Sequence, residues 1–284
     1  MKITFIGGDA RTVALCRLFE QAGDTVLRLF TMGQENDSPD LAAALRSADV
    51  LVLPLPVSRD GIHPTAPAGL TPPTLTEIFE EVGRDCLVLG GMLSPRVRAV
   101  ASAAETEITD YYMGEELIRK NAIATAEAAV AMAALELPVT IMGNHFAILG
   151  AGRIAMHTLS LLRAMGARVS LFARSPAARE KAQSLGATVY PIEATVAPDI
   201  PPTVRAVFST VPAMLYPRGA KMPSRGTYFY DLGGGAMDAE AAREAGIILP
   251  PSAALPGKYS PESAAEYLFA EIKKLIRVRK EGAS

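Results

Sequence analysis

Apolar residues in this chain come in short runs, each closed by glycine, proline or a small polar residue and separated by stretches with helical spacing. Alternation of this kind predicts parallel strands linked by helices. In the first part, strands are expected at Lys2 to Ile6, Thr25 to Phe30, Val50 to Leu53 and Cys86 to Leu89, with a short one at Glu107 to Thr109. Helices are expected from about Ala10 to Ala22, Leu41 to Arg46 and Thr74 to Glu81, with another opening at Ser94-Pro95 as N-cap and first residue. An Ala-rich stretch, Glu115 to Leu135, reads as a long helix, and Pro138 and Gly143 break the chain after it. A second alternation follows. Its strands are Phe146 to Leu149, Val169 to Ala173, Thr188 to Pro191, Val204 to Phe208, Thr227 to Tyr230 and Ile247 to Leu249. Helices fill the gaps up to Met165 and over Pro176 to Leu185, and a last one runs from about Pro261 to Val278.

The pattern predicts an α/β protein of two doubly wound Rossmann-type domains with an interdomain cleft. Residues 1–115 would form the first, completed by the C-terminal helix within 261–284. Residues 116–142 would connect, and residues 143–260 would form a dinucleotide-binding domain.

The second alternation opens on the fingerprint Gly150-Ala151-Gly152-Arg153-Ile154-Ala155, with a strand before it and a helix and strand after it. In this G-x-G-x-x-A turn the first glycine allows the tight bend, the second lets backbone approach a pyrophosphate, and the alanine keeps the helix close to the strand. Free N–H groups at the helix start favour the phosphates. The second strand ends in Arg174-Ser175, with Arg179 a turn later, where an NAD site carries a carboxylate for the ribose hydroxyl. A guanidinium and a hydroxyl suit a 2′-phosphate, so the expected cofactor is NADP.

The first lobe begins in a similar way, with Gly7-Gly8-Asp9-Ala10-Arg11, but lacks the second glycine of the fingerprint. Asp9 is a good N-cap, and its charge would repel a pyrophosphate. This lobe is therefore read as one that leaves the dinucleotide to the other. A proline-rich irregular segment, Pro54 to Pro73, follows its third strand; so long a loop at a strand's C-terminal end is commonly functional.

Composition narrows the picture. The chain has 284 residues, 49% hydrophobic and 20% charged, with a formal net charge of −2. That suits a globular protein and offers no basic patch for nucleic acid. Two cysteines in apolar segments fit a reducing compartment, and three scattered histidines argue against a metal site. No apolar run has membrane-spanning length. A cytoplasmic protein without membrane or nucleic-acid partners is expected. A 2-hydroxy-acid dehydrogenase of this architecture needs a histidine late in the second lobe, and none follows His157. His145 and His157 read as structural; His63, in the proline-rich loop, is the one histidine placed to face a site.

Five motifs occur in order: I-G-G-D-A-R at 6–11, N-A-I-A-T-A-E at 121–127, the fingerprint with Arg153 and the A-R-S strand end, S-T-V-P-A-M at 209–214, and L-P-G-x-x-S-P at 255–261. Together they resemble the A subunit of dipicolinate synthase over essentially the whole chain. The Pro54 to Pro73 segment is a departure in length and proline content. The resemblance implies NADP-dependent oxidation of dihydrodipicolinate to pyridine-2,6-dicarboxylate during sporulation, in the mother-cell cytoplasm. It also implies a flavoprotein-like B subunit as partner; a homo-oligomer is an open expectation.

That chemistry removes a hydride and a proton from a small dicarboxylate, so the site needs cations, donors and a modest base. Arg11 is the leading carboxylate clamp, with Arg59, Arg119 and Lys258 as alternatives. Asn121 and Thr125 lie one helical turn apart and share a face. Asp9, water or a group from the partner would act as base. On the cofactor side, Ser209, Thr210, Val211 and Pro212 would flank the nicotinamide. Asp231 and Gly233 stand at the next strand end, and Leu255 and Pro256 would close over the ring. Two other readings stay open. One is a shikimate- or amino-acid-type dehydrogenase with Lys120 as its catalytic lysine. The other is a non-catalytic NADP(H)-binding subunit of a flavin enzyme.

Overall fold

The computed structural model describes residues 1–33, 40–193 and 196–282. It divides into two compact units: the described residues of Met1–Asn121 with Gly257–Ser284, and Ala122–Pro256.

The first unit holds strands β1 (Lys2–Ile6), β2 (Thr25–Leu29), β3 (Val50–Val52), β4 (Leu87–Gly90) and β5 (Ile108–Asp110). All pair in parallel in the order β2-β1-β3-β4-β5. Helices α1 (Ala10–Gln21), α2 (Leu41–Arg46), α3 (Leu75–Glu81) and α4 (Pro95–Ala103) connect them. Each begins on a capping side chain: Asp9, Asp40, Thr74 and Ser94. Helix α5 (Glu115–Glu136) then runs from this unit into the second.

The second unit holds β6 (His145–Leu149), α6 (Arg153–Ala164), β7 (Arg168–Ala173), α7 (Pro176–Ser184), β8 (Thr188–Pro191), β9 (Val204–Ser209), β10 (Tyr228–Asp231) and α8 (Ala239–Ala245). Its parallel order is β10-β9-β6-β7-β8. Beyond β10 the expected strand over Ile247 to Leu249 contracts to an isolated bridge between Tyr228 and Ile248. Pro250 and Pro251 follow at once, and proline cannot donate to a ladder. Helix α9 (Leu255–Tyr259) leads out of this unit, and α10 (Pro261–Gly282) packs on α1 of the first.

The fold is therefore α/β with two doubly wound, Rossmann-like domains, but the strand orders differ. The second unit has the dinucleotide-binding order 3-2-1-4-5; the first has the flavodoxin-like order 2-1-3-4-5. Both faces of each sheet are apolar. In the first unit Ile3, Phe5 and Val52 meet α1 and α10 through Phe19, Leu268 and Ile272, while Ile6, Leu51 and Val88 meet α3 and α4 through Ile78 and Val97. In the second, Phe146, Ile148 and Phe208 pack on α5 and α6 through Met132, Leu159 and Leu162, and Val207 and Phe229 pack on the opposite face.

Candidate functional site

At the carboxyl edge of the second sheet, β6 ends at Leu149 and the chain turns through Gly150, whose φ is 104°. A side chain there would meet Thr210 Oγ1, so only glycine fits both the angle and the space. Gly150 N donates to the Phe172 carbonyl (2.8 Å), which fastens the turn to β7. Helix α6 starts on Gly152, which supplies no side-chain cap. A Cβ on Gly152 would meet nothing within 4 Å. The turn thus leaves a cradle over uncapped N–H groups at the positive end of a dipole.

A cavity of about 490 Å³ opens here. Gly150, Ala151, Gly152, Arg174, Ser175, Thr210, Val211 and Pro212 line it, as do Ile192 and Glu193. Its volume is that of a small-molecule site. Arg174 is exposed at the rim and has no side-chain partner among the described residues, while Ser175 Oγ caps α7 by accepting from Ala178 N (3.3 Å). Thr210 is fixed at β9 through N and Oγ1, which donate to the Leu149 carbonyl at 2.9 and 3.0 Å. Gly233 packs on the backbone of Thr210 and Val211: a Cβ there would lie 2.7 Å from the Val211 carbonyl oxygen. Beside them the Ser209 hydroxyl is buried with no hydrogen-bond partner among the described residues. Open backbone donors, a glycine cradle and one unpaired cation at the rim fit a nicotinamide dinucleotide. Gly150 to Gly152 would meet its pyrophosphate, and Arg174 with Ser175 its ribose end; bound, it would supply hydride acceptance.

Several residues expected at the cofactor have other work. Arg179 donates through Nη1 to the carbonyls of Ala173 (2.7 Å) and Arg174 (2.8 Å), so it shapes the end of β7 and does not line the cavity. Asp231 accepts from Gly234 N (3.0 Å) and Ala236 N (2.9 Å), holding the glycine loop closed. Leu255 is 1% exposed and packs in the core around Phe146 and Tyr230. Arg153, Ile154 and Pro256 do not line the cavity. Glu193 was not expected there. It follows an edge strand whose sequence carries no glycine signal, and the tertiary fold brings it to the same cavity as Arg174.

The turn after β1 is built differently. Gly8 N donates to the Thr65 carbonyl (2.7 Å), which brings the long loop after β3 onto the turn. Asp9 caps α1 by accepting from Arg11 N (3.0 Å). The Arg11 guanidinium grips the same carboxylate, Nε to Oδ1 at 2.9 Å and Nη2 to Oδ2 at 2.7 Å, and Nη2 also donates to the Leu55 carbonyl (2.7 Å). Arg11 is buried, 6% exposed. Arg11, expected as the leading clamp, thus has its charge met by Asp9 and ties the turn to the loop. Both carboxylate oxygens of Asp9 are thereby engaged. Gly257 rests against this pair, where any side chain would meet Asp9 Oδ2. Tyr111 OH donates to the Leu53 carbonyl (3.0 Å), and complete burial pushes its pKa above the usual phenol range.

On α5, Arg119 forms two 2.8 Å hydrogen bonds to Glu116, which hold that exposed carboxyl at about 2. Lys120 lies 3.4 Å from Glu116 and over the Tyr267 ring. Asn121 Nδ2 donates to Tyr112 OH (2.8 Å), and Thr125 is buried. These two fall on either side of the division between the units. Lys258 sits over the Tyr259 ring. His145 is spanned by Thr203 Oγ1 (2.7 Å) and Ser170 Oγ (2.9 Å), and burial lowers its pKa; it is a structural histidine. Among the described residues no helix is long and apolar enough to cross a membrane.

Residues 2–112 match the family model for the N-terminal domain of the dipicolinate synthase A subunit. The chain is 23% identical to the dipicolinate synthase A subunit of Bacillus subtilis (strain 168) over 291 residues, covering 97% of this chain and 96% of that protein. Among solved structures it resembles the dipicolinate synthase A subunit from Bacillus halodurans, with a TM-score of 0.84, 24% identity and coverage of 96% and 97%. It also resembles the dipicolinate synthase A chain of Bacillus subtilis, with a TM-score of 0.78, 21% identity and coverage of 99% and 97%. The first unit thus matches the N-terminal domain of dipicolinate synthase A subunits, and the likeness to the Bacillus subtilis A subunit runs over nearly the whole chain.

Proposed function

We propose that this chain oxidises dihydrodipicolinate to pyridine-2,6-dicarboxylate with NADP⁺, acting with a flavoprotein-like B subunit in the mother-cell cytoplasm during spore formation. The observation that carries the cofactor half is the cavity at Gly150 to Gly152, with an uncapped helix beneath it and, at its rim, Arg174 with no side-chain partner among the described residues. The likeness to dipicolinate synthase A subunits supports the substrate half.

The nicotinamide, when bound, accepts the hydride. This chain's residues bind and orient the reactants. Backbone N–H groups of the glycine turn meet the pyrophosphate, and Arg174 meets the 2′-phosphate. Thr210, Val211 and Pro212 form the wall beside the ring. Aromatisation of the product supplies driving force, so placement of the dicarboxylate and removal of one proton are the remaining demands.

Calorimetry with NADP⁺ and NAD⁺ on the wild type and on Arg174→Asp tests the cofactor. Preference for NADP⁺ that the substitution abolishes is the expected result. Turnover of dihydrodipicolinate by the purified chain, alone and with the flavoprotein-like partner, tests the reaction. Activity in the isolated chain removes the non-catalytic reading; binding of NADP⁺ without turnover under either condition overturns the proposed reaction. Sedimentation of the chain alone reports whether it self-associates.

A further inference from the structure

The cavity at the glycine turn holds a carboxylate that the phosphates of a dinucleotide do not account for. Glu193 lines it together with Arg174, and among the described residues neither side chain has an ion pair or a hydrogen bond. Both are exposed. An ionised carboxylate only accepts hydrogen bonds. Beside a ligand that carries several phosphate charges it weakens binding, unless the ligand brings it a donor.

The second sheet fixes the order in which a ligand meets these groups. In β10-β9-β6-β7-β8 the strands β6, β7 and β8 are neighbours, and β8 is the outermost. Parallel strands lie about 4.8 Å apart. The last pair between β7 and β8 is Ala173 with Pro191, so the two strands end level. Arg174 follows the first and Ile192-Glu193 the second. The Tyr190 ring stacks on Phe172 with centroids 4.9 Å apart, which holds the end of β8 onto β7. Ile192 is half-buried against the core that contains Phe172. A molecule seated on the turn after β6 and extended along this edge therefore meets the glycines, then Arg174, then Glu193. In a dinucleotide the matching sequence is pyrophosphate, ribose, adenine. Ala178 and Ile192 also line the cavity and offer apolar surface to the face of a flat base. Adenine is apolar on its faces and polar at its edge, where the 6-amino group is a hydrogen-bond donor.

We propose that Glu193 reads the base of the cofactor: its carboxylate accepts a hydrogen bond from the adenine 6-amino group, while Arg174 holds the 2′-phosphate. The proposal rests on the cavity being the dinucleotide site, as given above. It makes Glu193 a specificity-determining residue that selects a 6-aminopurine over a 6-oxopurine. A 6-oxo group turns an acceptor towards the carboxylate, so the wrong base loses a contact and meets repulsion.

Calorimetry on the free chain tests this with NADP⁺ and its deaminated form, nicotinamide hypoxanthine dinucleotide phosphate. The wild type is expected to bind NADP⁺ about tenfold more tightly, the range for one hydrogen bond to a charged group. Glu193→Ala is expected to weaken NADP⁺ about tenfold and to bind both dinucleotides alike. Glu193→Gln keeps an acceptor oxygen and is expected to retain part of the preference. An exposed side chain leaves no cavity on truncation, so the variants should melt with the wild type. NAD⁺ against deaminated NAD⁺ should give the same ratio, because the amine is remote from the ribose. A wild type that binds the two bases within twofold overturns the assignment. So does a Glu193→Ala chain that loses both dinucleotides equally, the mark of a sugar contact, or that binds NADP⁺ more tightly, the mark of repulsion from the 2′-phosphate. A wild type that binds none of the dinucleotides overturns the cofactor reading itself.

Discussion

In the first unit the junction of strand, glycine turn and helix ends in Asp9, whose carboxylate caps α1 and is gripped by Arg11; in the second it ends in Gly152, which caps nothing. The backbone logic is shared: a parallel strand, a glycine at positive φ, a helix pointing its positive end at the carboxyl edge. What differs is who satisfies the first N–H groups. A side chain that satisfies them makes a rigid corner and closes the helix end to anions. Leaving them open forgoes the cap and keeps an anion site. The same trade sets the neighbouring loops. At the first turn Thr65 comes down onto Gly8 and Leu55 onto Arg11; the second turn opens on a cavity.

The largest expected effect comes from exchanging the two solutions. Gly152 has φ −74° and ψ −173°, extended backbone that any residue adopts, with open space at its Cβ. Gly152→Asp should therefore cap α6, raising the stability of the free chain by a few tenths of a kcal/mol. It should also place a carboxylate where the pyrophosphate would lie, weakening NADP⁺ by about 100-fold, roughly 2.7 kcal/mol. Thermal melts and calorimetry should thus move in opposite directions. If affinity holds, the dinucleotide is not on this turn.

Asp9→Ala is the converse. It removes a cap and strands a buried guanidinium, which should cost about 2 kcal/mol of stability in a urea titration. NADP⁺ affinity should be unchanged, because the first turn holds no phosphate. Next in size, Arg174→Asp should lower NADP⁺ affinity about tenfold and leave NAD⁺ nearly unaffected, the scale of one charge-assisted contact.

The smallest effect concerns pH. Burial pushes the Cys16 thiol up to about 12 in the folded chain, against roughly 8.5 when unfolded. The sign follows: below about pH 8 both states keep the proton, and above it the unfolded chain loses its proton first, so stability declines until the pH passes the folded value. Both cysteines lie in the first unit. Hydrogen exchange at increasing alkaline pH should therefore show protection falling in β1 and α1 before β6 and α6, and Cys16→Ala should flatten that fall.

Much of the fold was legible because each element carries its own signals. Ser94-Pro95, Thr74 with Glu77, and the apolar run at β6 start or stop where local chemistry demands. Errors gathered where local and tertiary demands part. Ile247 to Leu249 has strand composition, but the prolines after it limit pairing to one bridge. Leu255 stands in a motif that reads as a lid, and the core of the second unit claims it.

The sequence by itself settled what repeats along the chain: the two runs of strand and helix, the glycine turn at Gly150, and the lack of a carboxylate at the end of β7. These depend on neighbours within a few residues, and periodicity and backbone sterics record such dependences directly. Only the tertiary structure decided which charges are available. It paired Arg11 with Asp9 and Leu55, turned Arg179 onto carbonyls, left Arg174 and Arg59 without an ion pair among the described residues, and set Asp60 beside His63. Residues far apart in sequence, and even those two or three apart in irregular loops, meet by sheet order and loop path. The availability of a charge is a property of those meetings and not of the residue that bears it.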